Sequence, residues 1–500
     1  MFTVPGSSRS RGGGIMKSKI AVVAVLTFTA GAFFYARPRN HIPSDLRDAV
    51  ADSGAMSELK TAGQDMYGQE QVPAPAEAAP AAAEETAQKG LPSAPAAVRE
   101  WTVMVFMSAR NNLGDSRMLG LAGKFDKKDL AEMARVGSTD KVNVVVEHAS
   151  NGKPARRLLI TKGGSVPYGE FPGADMGDYN RLADFAVWTK RAFPAKRYML
   201  VVWGHGLGWL DPARRRPEGG GNKGVAFDDE TGNYIRTRQL GEALRRIGHV
   251  DVLMQHACLM QTAEVLYELK DDVGLFVGSE EEMLALGYEY DKLLAFLNAD
   301  PGATYGRLSA FLMAKQREYF VAGLPVGPVR VSLEAKGATL SAVRGEALKE
   351  LPAYLDAFAD AAMRNREEAA VKKAVSAVIR FASLYADDED KLMSPGMDLY
   401  DFARIVGANA ENPETKRAAA GLAAFIKNRL VVDSVGINRD RRNDYTYAKV
   451  GGIAINMTLK AKSFPASFAG AFDGEYRDLA LSKDSRWDEF VEWTDRVWRR

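Results

Sequence analysis

The sequence predicts an α/β fold in which a mostly parallel sheet carries helices on both faces. Short apolar runs rich in valine and aromatic residues are typical of strands buried on both faces. Segments with helical periodicity separate these runs, so strand and helix alternate. Of the 500 residues, 46% are hydrophobic and 26% are charged, which excludes a wholly disordered, collagenous or coiled-coil chain.

The elements can be assigned in chain order. The predicted strands are Trp101–Met107, Val142–Glu147, an inserted hairpin strand at Arg156–Thr161, Tyr198–Trp203, Asp251–Gln255 and Leu275–Gly278. The predicted helices are Phe125–Arg135, Tyr179–Phe193, Arg236–Ile247 and Thr262–Asp271. Further along, we expect strands at Val329–Leu333, a candidate to complete the sheet, and Gly452–Asn456, with long helices across Ala335–Arg380 and a docked helix at Trp487–Arg500.

The first 98 residues carry targeting and linker signals. Within residues 1–40, the apolar run Ile20–Ala36 follows several basic residues and just reaches across a membrane core of about 30 Å. The excess of positive charge before the run predicts export of the rest of the chain across the cytoplasmic membrane. An uncleaved membrane anchor and a signal peptide cleaved near Ala30-Gly31-Ala32 both stay open. Residues 41–98 are polar and then rich in alanine and proline, as in a solvated linker, which leaves residues 99–500 as one large unit.

Charge and cysteine content exclude several classes of function. With 66 Lys and Arg against 64 Asp and Glu, the net charge is +2, so we expect no nucleic-acid partner. The single cysteine, Cys258, cannot form an internal disulfide, a zinc knuckle or an iron–sulfur site. The five histidines are too scattered for an obvious metal cluster. Cys258 is therefore either a small buried hydrophobic residue or a nucleophile.

Two reactive side chains follow successive predicted strands. His205 lies in a glycine-rich segment directly after Tyr198–Trp203, and Cys258 follows Asp251–Gln255. Ligand sites of open α/β sheets lie beyond the carboxyl ends of strands, and neighbouring strands are about 5 Å apart. The His205 imidazole could therefore take the proton of the Cys258 thiol, with the backbone N–H groups of Gly206 and Cys258 binding an oxyanion. The plainer alternatives are a core histidine and a buried, unreactive cysteine.

Several motifs between Trp101 and Met457 resemble, in order and spacing, those of the clostripain family of cysteine peptidases. They are Trp101–Asn112 (WTVMVFMSARNN), Val202–Trp209 (VWGHGLGW), Ala257–Met260 (ACLM) with Glu264 and Tyr267–Leu269, Val277–Glu281 (VGSEE), Gly287–Leu294 (GYEYDKLL), Asp398–Ala403 (DLYDFA) and Gly451–Asn456 (GGIAIN). The resemblance implies a caspase-like three-layer α/β/α sandwich, to which helices are added at the C-terminus. It also implies a cysteine endopeptidase acting on proteins or peptides without an organic cofactor. It makes Cys258 the nucleophile, His205 the base, and the backbones of Gly206 and Cys258 the oxyanion donors.

The sequence departs from the family two residues before the nucleophile. The family typically has an aspartate there, which contributes to a pocket for Arg or Lys, whereas this chain has His256. An imidazole cannot bind a basic side chain as a carboxylate does, so the residue preferred at the cleaved bond stays open. His256 could line the pocket, act as a second base, or form a structural hydrogen bond. Glu280 and Glu281, with Glu282, could restore an acidic pocket or could form the solvated first turn of a helix.

The segment between the two reactive residues suggests how the protein is activated. Asp211–Gly224 contains Arg214, Arg215 and Arg216, then a proline and glycines, which indicates an exposed, protease-accessible loop. Clostripain-like enzymes are often matured by cleavage between the His and Cys strands. The resemblance therefore implies a zymogen cleaved in this loop, and the alternative is a solvated loop that is never cut.

Two further expectations concern calcium and loss of activity. Some family members need calcium, but the oxygen-bearing residues that could supply ligands show no EF-hand spacing, so the sequence gives calcium no support. Those residues are Asp115, Asp228, Asp229 and Glu230. The functional alternative to a peptidase is a catalytically inactive binding or scaffolding module on the same fold, for which His256 is the best argument.

Overall fold

The computed structural model describes residues 97–114, 124–209, 224–284, 287–326, 329–333, 337–381, 396–438, 446–457 and 476–499. The segment of residues 1–40, the linker up to residue 96, and Arg214–Arg216 of the processing loop lie outside these ranges. Among the helices that are described, none has the length and apolar character to cross a membrane.

Fifteen strands occur in the described ranges, and nine of them form one sheet. The strands are β1 (Arg99–Ala109), β2 (Val142–Ser150), β3 (Ala155–Thr161), β4 (Gly164–Phe171), β5 (Ala195–Trp203), β6 (Val225–Asp228), β7 (Asn233–Ile235), β8 (Val250–His256), β9 (Val273–Gly278), β10 (Leu324–Val326), β11 (Val329–Val331), β12 (Ala338–Arg344), β13 (Gly396–Asp398), β14 (Val431–Ile437) and β15 (Ala454–Asn456). The order in the large sheet is β14-β12-β9-β8-β5-β1-β2-β3-β4.

The centre of the large sheet is parallel, as the sequence predicted. Strands β9, β8, β5, β1 and β2 run parallel to their neighbours in this central block. Antiparallel strands extend it at both edges, β3 and β4 on one side and β12 and β14 on the other. The chain passes from β1 to β2 and later returns to β5 on the opposite side of β1. Ligand sites of α/β sheets form beyond the carboxyl ends at such a reversal of strand order.

Helices cover both faces of this sheet. They are α1 (Phe125–Val136), α2 (Tyr179–Ala192), α3 (Thr237–Ile247), α4 (Ala263–Glu268), α5 (Tyr290–Ala299), α6 (Tyr305–Ala322), α7 (Gly345–Leu348), α8 (Leu351–Arg364), α9 (Glu368–Ala377), α10 (Leu399–Asn409), α11 (Pro413–Phe425), α12 (Ala480–Asp484) and α13 (Trp487–Arg499), with a π-helical turn at Ile426–Leu430. Alternate side chains of β1 enter different cores. Met104 and Phe106 pack with α2, α3 and the C-terminal helices, whereas Val103 and Val105 pack with α1, α5 and α6. The architecture is a three-layer α/β/α sandwich, as predicted.

Two expectations for the C-terminal half are wrong. Val329–Val331 pairs with Leu324–Val326 in a separate hairpin and does not complete the main sheet. That role falls to β12, which lies inside the stretch expected to be helical from Ala335 onward. The β12 sequence ATLSAVR is rich in small residues and lacks the β-branched run typical of strands, but six of its seven residues are buried. Burial between β9 and β14 has overridden the local helical preference. The docked C-terminal helix is confirmed, with Trp487 fully buried.

Candidate active site

The register between β5 and β8 places the two reactive residues at equivalent positions. Trp203 is opposite His256 in this parallel pair, so His205 and Cys258 each lie two residues beyond the last paired position. The backbones that follow are in close contact. A methyl group placed on Gly206 would lie 2.7 Å from the carbonyl oxygen of Cys258, too close for any side chain. The segments that carry the candidate base and nucleophile therefore pack directly against each other.

The His205 ring is held by a side chain from a third strand. Its Nε2 lies 2.5 Å from Oδ1 of Asn112, just beyond the carboxyl end of β1. An amide oxygen only accepts hydrogen bonds, so Nε2 carries the proton and Nδ1 is the basic nitrogen. Burial lowers the pKa of His205 to about 4, so the imidazole is neutral at physiological pH. The ring is thus a proton acceptor of fixed tautomer, packed edge-on against Phe227 at 6.2 Å between centroids.

Sequence reasoning gave Asn112 no role. The turn that carries it is fixed by its neighbour Asn111, whose Nδ2 donates to the carbonyl oxygens of Ser108 and Phe227. The Asn111 Oδ1 also accepts from the N–H of Leu113 at 3.0 Å. The position of Asn112 in the chain could have indicated its role. Asn112 follows β1, which borders β5 where the strand order reverses. A polar residue just beyond the end of β1 therefore lies next to the residues that follow β5, which include His205.

The Cys258 thiol is partly buried and contacts the segment that follows β9. The Met283 N–H donates to Sγ at 3.3 Å, which favours negative charge on the sulfur. The next residue, Leu259, has φ +61°, in the left-handed region that a bulky side chain rarely adopts. Such strain costs about 1–3 kcal/mol and is common at functional sites. Here it is held by burial of the Leu259 side chain and by its N–H, which donates to the carbonyl oxygen of Glu281.

Strand β6 is hydrogen-bonded to the segment that carries His205. The Ala226 N–H donates to the His205 carbonyl at 3.2 Å, and the Leu207 N–H donates to the Gly224 carbonyl at 3.0 Å. Gly206, opposite Val225, occupies the non-hydrogen-bonded position between these two bonds. Its N–H consequently points away from β6 and takes no part in the pairing.

His256 has the contacts of a structural residue. Its Nδ1 lies 2.9 Å from the Tyr290 hydroxyl, and its ring packs against Trp203 and Tyr288 at 5.6 and 5.2 Å between centroids. A methyl group on Gly287 would fall 1.6 Å from Nε2, so this glycine closes the other edge of the ring. Burial lowers the pKa of His256 to about 3 and keeps the ring neutral. Of the three alternatives the sequence left open, these contacts favour the structural hydrogen bond.

The three glutamates after β9 are buried, so the alternative of a solvated helical turn is wrong. Glu280, Glu281 and Glu282 are at most 5% exposed, and the next helix along the chain, α5, begins only at Tyr290. Burial and the neighbouring Asp398 raise the pKa of Glu280 well above its usual range. The Glu281 carboxylate accepts from the Tyr447 hydroxyl. The sequence reasoning missed these partners because both lie in the C-terminal half of the chain.

Replacing Glu280 with glutamine is expected to stabilise the fold, and more so at pH 8 than at pH 5. The raised pKa means that folded Glu280 keeps a proton that the unfolded chain has released above about pH 4.3. Stability therefore falls by about 1.4 kcal/mol per pH unit through this window, and glutamine has no proton to lose. Urea denaturation at both pH values measures the difference, with Glu318→Gln as the control because the Glu318 side chain is exposed on the solvent side of α6. A difference that does not change with pH would contradict the assignment.

The residues considered for calcium are placed as follows. Asp228 and Glu230 form ion pairs with Arg110 at 3.3 and 3.2 Å. The Asp229 N–H donates to the Arg110 carbonyl oxygen at 2.8 Å, and Asp115 lies outside the described residues. In the part of the chain that the structure describes, no group of three His, Cys, Asp or Glu residues could hold a metal ion.

Comparison with known proteins identifies the family. The model of the clostripain family matches residues 105–493. The chain belongs to the clostripain family. Clostripain from Hathewaya histolytica is 29% identical over 140 residues, which are 26% of this chain and 26% of clostripain. The match therefore spans about a quarter of that relative's length.

Solved structures confirm the clostripain-family fold. A secreted C11 cysteine protease from Bacteroides thetaiotaomicron, in complex with an irreversible peptide inhibitor, has a TM-score of 0.56 and 18% identity, covering 78% of this chain and 99% of that one. An inactive zymogen C11 protease from Parabacteroides distasonis has a TM-score of 0.54 and 17% identity with the same coverage. At these identities the likeness establishes the caspase-like three-layer fold alone.

Proposed function

We propose that this chain is an exported cysteine endopeptidase that hydrolyses peptide bonds through Cys258 and His205. The observation that most supports this proposal is that the two residues lie at equivalent positions beyond adjacent parallel strands. The backbones of the segments that carry them are in contact. Membership of the clostripain family supports the same assignment. The alternative, an inactive binding module, gives no reason for a hydrogen-bonded, neutral histidine at the position equivalent to that of the chain's only cysteine.

The geometry supports an acyl-transfer mechanism. Nδ1 of His205 takes the proton of the Cys258 thiol, and the sulfur attacks the carbonyl carbon of the substrate. The N–H groups of Gly206 and Cys258 bind the oxyanion that forms. The protonated His205 then gives its proton to the leaving amine, which breaks the C–N bond and leaves a thioester on Cys258. Water, deprotonated by His205, hydrolyses the thioester and restores the thiol.

Asn112 acts in this mechanism as a positioning residue that fixes the tautomer of His205. Replacing Asn112 with alanine is expected to lower kcat/KM about five-fold, since a net hydrogen bond is worth about 1 kcal/mol and a ten-fold rate change about 1.4 kcal/mol. Steady-state kinetics with a peptide substrate measures the loss. The control is Asn151→Ala, because the Asn151 amide donates to the Asn111 carbonyl oxygen at 3.0 Å and, within the described residues, makes no hydrogen bond to His205. Equal kinetics for both variants would show that Asn112 does not orient the base.

Export and activation belong to the same proposal. The apolar run Ile20–Ala36 with its basic flank supports export, as an anchor or a cleaved signal peptide. The processing loop Asp211–Gly224 supports activation by cleavage, and a relative of the same fold is described as an inactive zymogen. Mass spectrometry of purified wild type is expected to find a cut in this loop that is absent from Cys258→Ala. Intact chains in both preparations would make self-processing wrong.

A positional peptide library tests the function and its substrate class together. Wild type is expected to cleave, and Cys258→Ala is expected not to. Because His256 replaces the family's aspartate and is neutral, we expect no strong preference for Arg or Lys before the cleaved bond. A strong preference for either would contradict this interpretation of His256. Failure of reduced wild type to cleave anything, with and without calcium and loop nicking, would favour the inactive binding module.

A further inference from the structure

A buried carboxylate lies beneath the ends of the two strands that lead to Cys258 and His205. Asp129 of α1 is fully buried, and its Oδ2 accepts the indole N–H of Trp203 at 2.7 Å. The same oxygen lies 3.8 Å from Nδ1 of His256. Trp203 and His256 are the last cross-strand pair of β5 and β8, two residues before His205 and Cys258. One oxygen atom thus accepts a hydrogen bond from one strand end and lies in van der Waals range of the other.

We propose that Asp129 is a positioning residue that sets the distance between His205 and Cys258 by clamping Trp203 and His256 together. This inference rests on the proposed peptidase function. The clamp has three parts that reinforce one another. The Trp203 and His256 rings meet edge to face at 5.6 Å, and the Gly204 N–H donates to the His256 carbonyl at 3.2 Å. Asp129 accepts from the Trp203 indole and packs 3.8 Å from Nδ1 of His256.

The clamp is anchored in the helices of the same layer. Lys128 Nζ lies 3.0 Å from Asp129 Oδ1 and 3.0 Å from Glu132 Oε1. Glu132 Oε2 accepts from the backbone N–H of Tyr290 at 3.3 Å, and the Tyr290 hydroxyl lies beside Nδ1 of His256. The contacts therefore form a closed path from α1 through the strand ends to α5 and back. Such a path restrains the strand ends along more than one direction.

Charge gives a second argument. Burial raises the pKa of Asp129 to about 7, so ionising this carboxyl inside the protein is unfavourable. A well-packed apolar residue in place of a buried ion pair is often neutral or stabilising. A buried carboxylate at this point therefore adds little to the free energy of unfolding, because the cost of desolvating it offsets the interactions that it makes. Its contribution is geometric, because a misplacement of about 1 Å between reacting groups can lower a rate about 100-fold.

The test compares two buried aspartates of the same helix. Asp129→Asn keeps the shape, but its amide has one acceptor oxygen where the carboxylate has two, so it cannot accept from both the Trp203 indole and Lys128. Asp126→Asn is the matched control, since Asp126 is also fully buried in α1 but pairs with His148 of β2 at 2.8 Å. For Asp129→Asn we expect kcat to fall about 10- to 100-fold with KM within about two-fold, and alkylation of Cys258 by iodoacetamide to slow in parallel. Asp126→Asn should change kcat less than about two-fold, whether or not its melting temperature falls.

Two further results decide the question. If Trp203→Phe lowers kcat as Asp129→Asn does, and the double variant is no worse than either single one, both residues act through one contact. Unchanged kcat in Asp129→Asn, or equal losses in both aspartate variants that follow their melting temperatures, would overturn the proposal. Cleavage by wild type that Cys258→Ala abolishes establishes the peptidase function separately, so a failure of the clamp is distinguishable from a failure of the function.

Discussion

Replacing Cys258 with serine is expected to lower kcat/KM about 10⁴-fold or more while leaving the fold intact. A serine hydroxyl holds its proton far more tightly than a thiol, so the anion that attacks the carbonyl carbon is formed far less readily and is a harder, weaker nucleophile than the thiolate that this site provides. The oxygen can still accept from the Met283 N–H that now donates to the sulfur. Steady-state kinetics and thermal denaturation of the two proteins measure both effects.

The single cysteine of the chain provides the controls for Cys258→Ser. Because Cys258 is the only cysteine in the chain, blocking thiols in wild type should reproduce the loss of activity, and the serine variant should be unaffected by the same reagent. Cleavage that persists in Cys258→Ser at more than about one-hundredth of the wild-type rate would place the nucleophile elsewhere.

Replacing His205 with alanine is expected to lower kcat/KM about 10³- to 10⁴-fold, because no base then takes the thiol proton and no acid protonates the leaving amine. The KM for a peptide should change little, since the imidazole acts on atoms that move in the transition state. Added imidazole should restore part of the rate in this variant and none in Cys258→Ser. The two variants combined should be about as inactive as either one, because the residues act as a unit.

The matched control is another histidine at the opposite end of the same region. His249 is exposed and precedes β8, so it lies at the amino end of the strand whose carboxyl end leads to Cys258. His249→Ala should keep kcat/KM within about two-fold of wild type. Comparable losses in the two histidine variants, or a His205→Ala enzyme that retains most of its rate, would remove His205 from the mechanism.

The elements that could be predicted from the sequence are those whose structure is determined by the local pattern of apolar and polar residues. Valine-rich runs gave the parallel centre of the sheet, because strands covered on both faces need apolar side chains at every position. The position of His205 and Cys258 followed from the same logic, since residues after neighbouring parallel strands meet at one edge. Their equivalent register, opposite Trp203 and His256, is what the structure adds.

The features that sequence reasoning missed depend on distant partners. Asn112 bonds His205 across a strand-order reversal, which no spacing in the chain reveals. An acidic run such as Glu280–Glu282 normally lies in solvent, and its burial depends on residues of the C-terminal half such as Asp398. Strand β12 is built from small residues, so only its neighbours β9 and β14 give it extended structure. For the acidic run and for β12, tertiary contacts overrode the local preference.

The most direct test of the Cys258–His205 assignment is to find where a peptidyl chloromethyl ketone attaches. Attack by the thiolate on the methylene carbon displaces chloride, so one modified residue is expected per active chain. Mass spectrometry of peptides from the labelled protein should place a single adduct on Cys258 in wild type, with labelling slowed at least about 100-fold in His205→Ala. Cleavage-competent wild type with no adduct on Cys258, or equal labelling rates in the two proteins, would contradict the account.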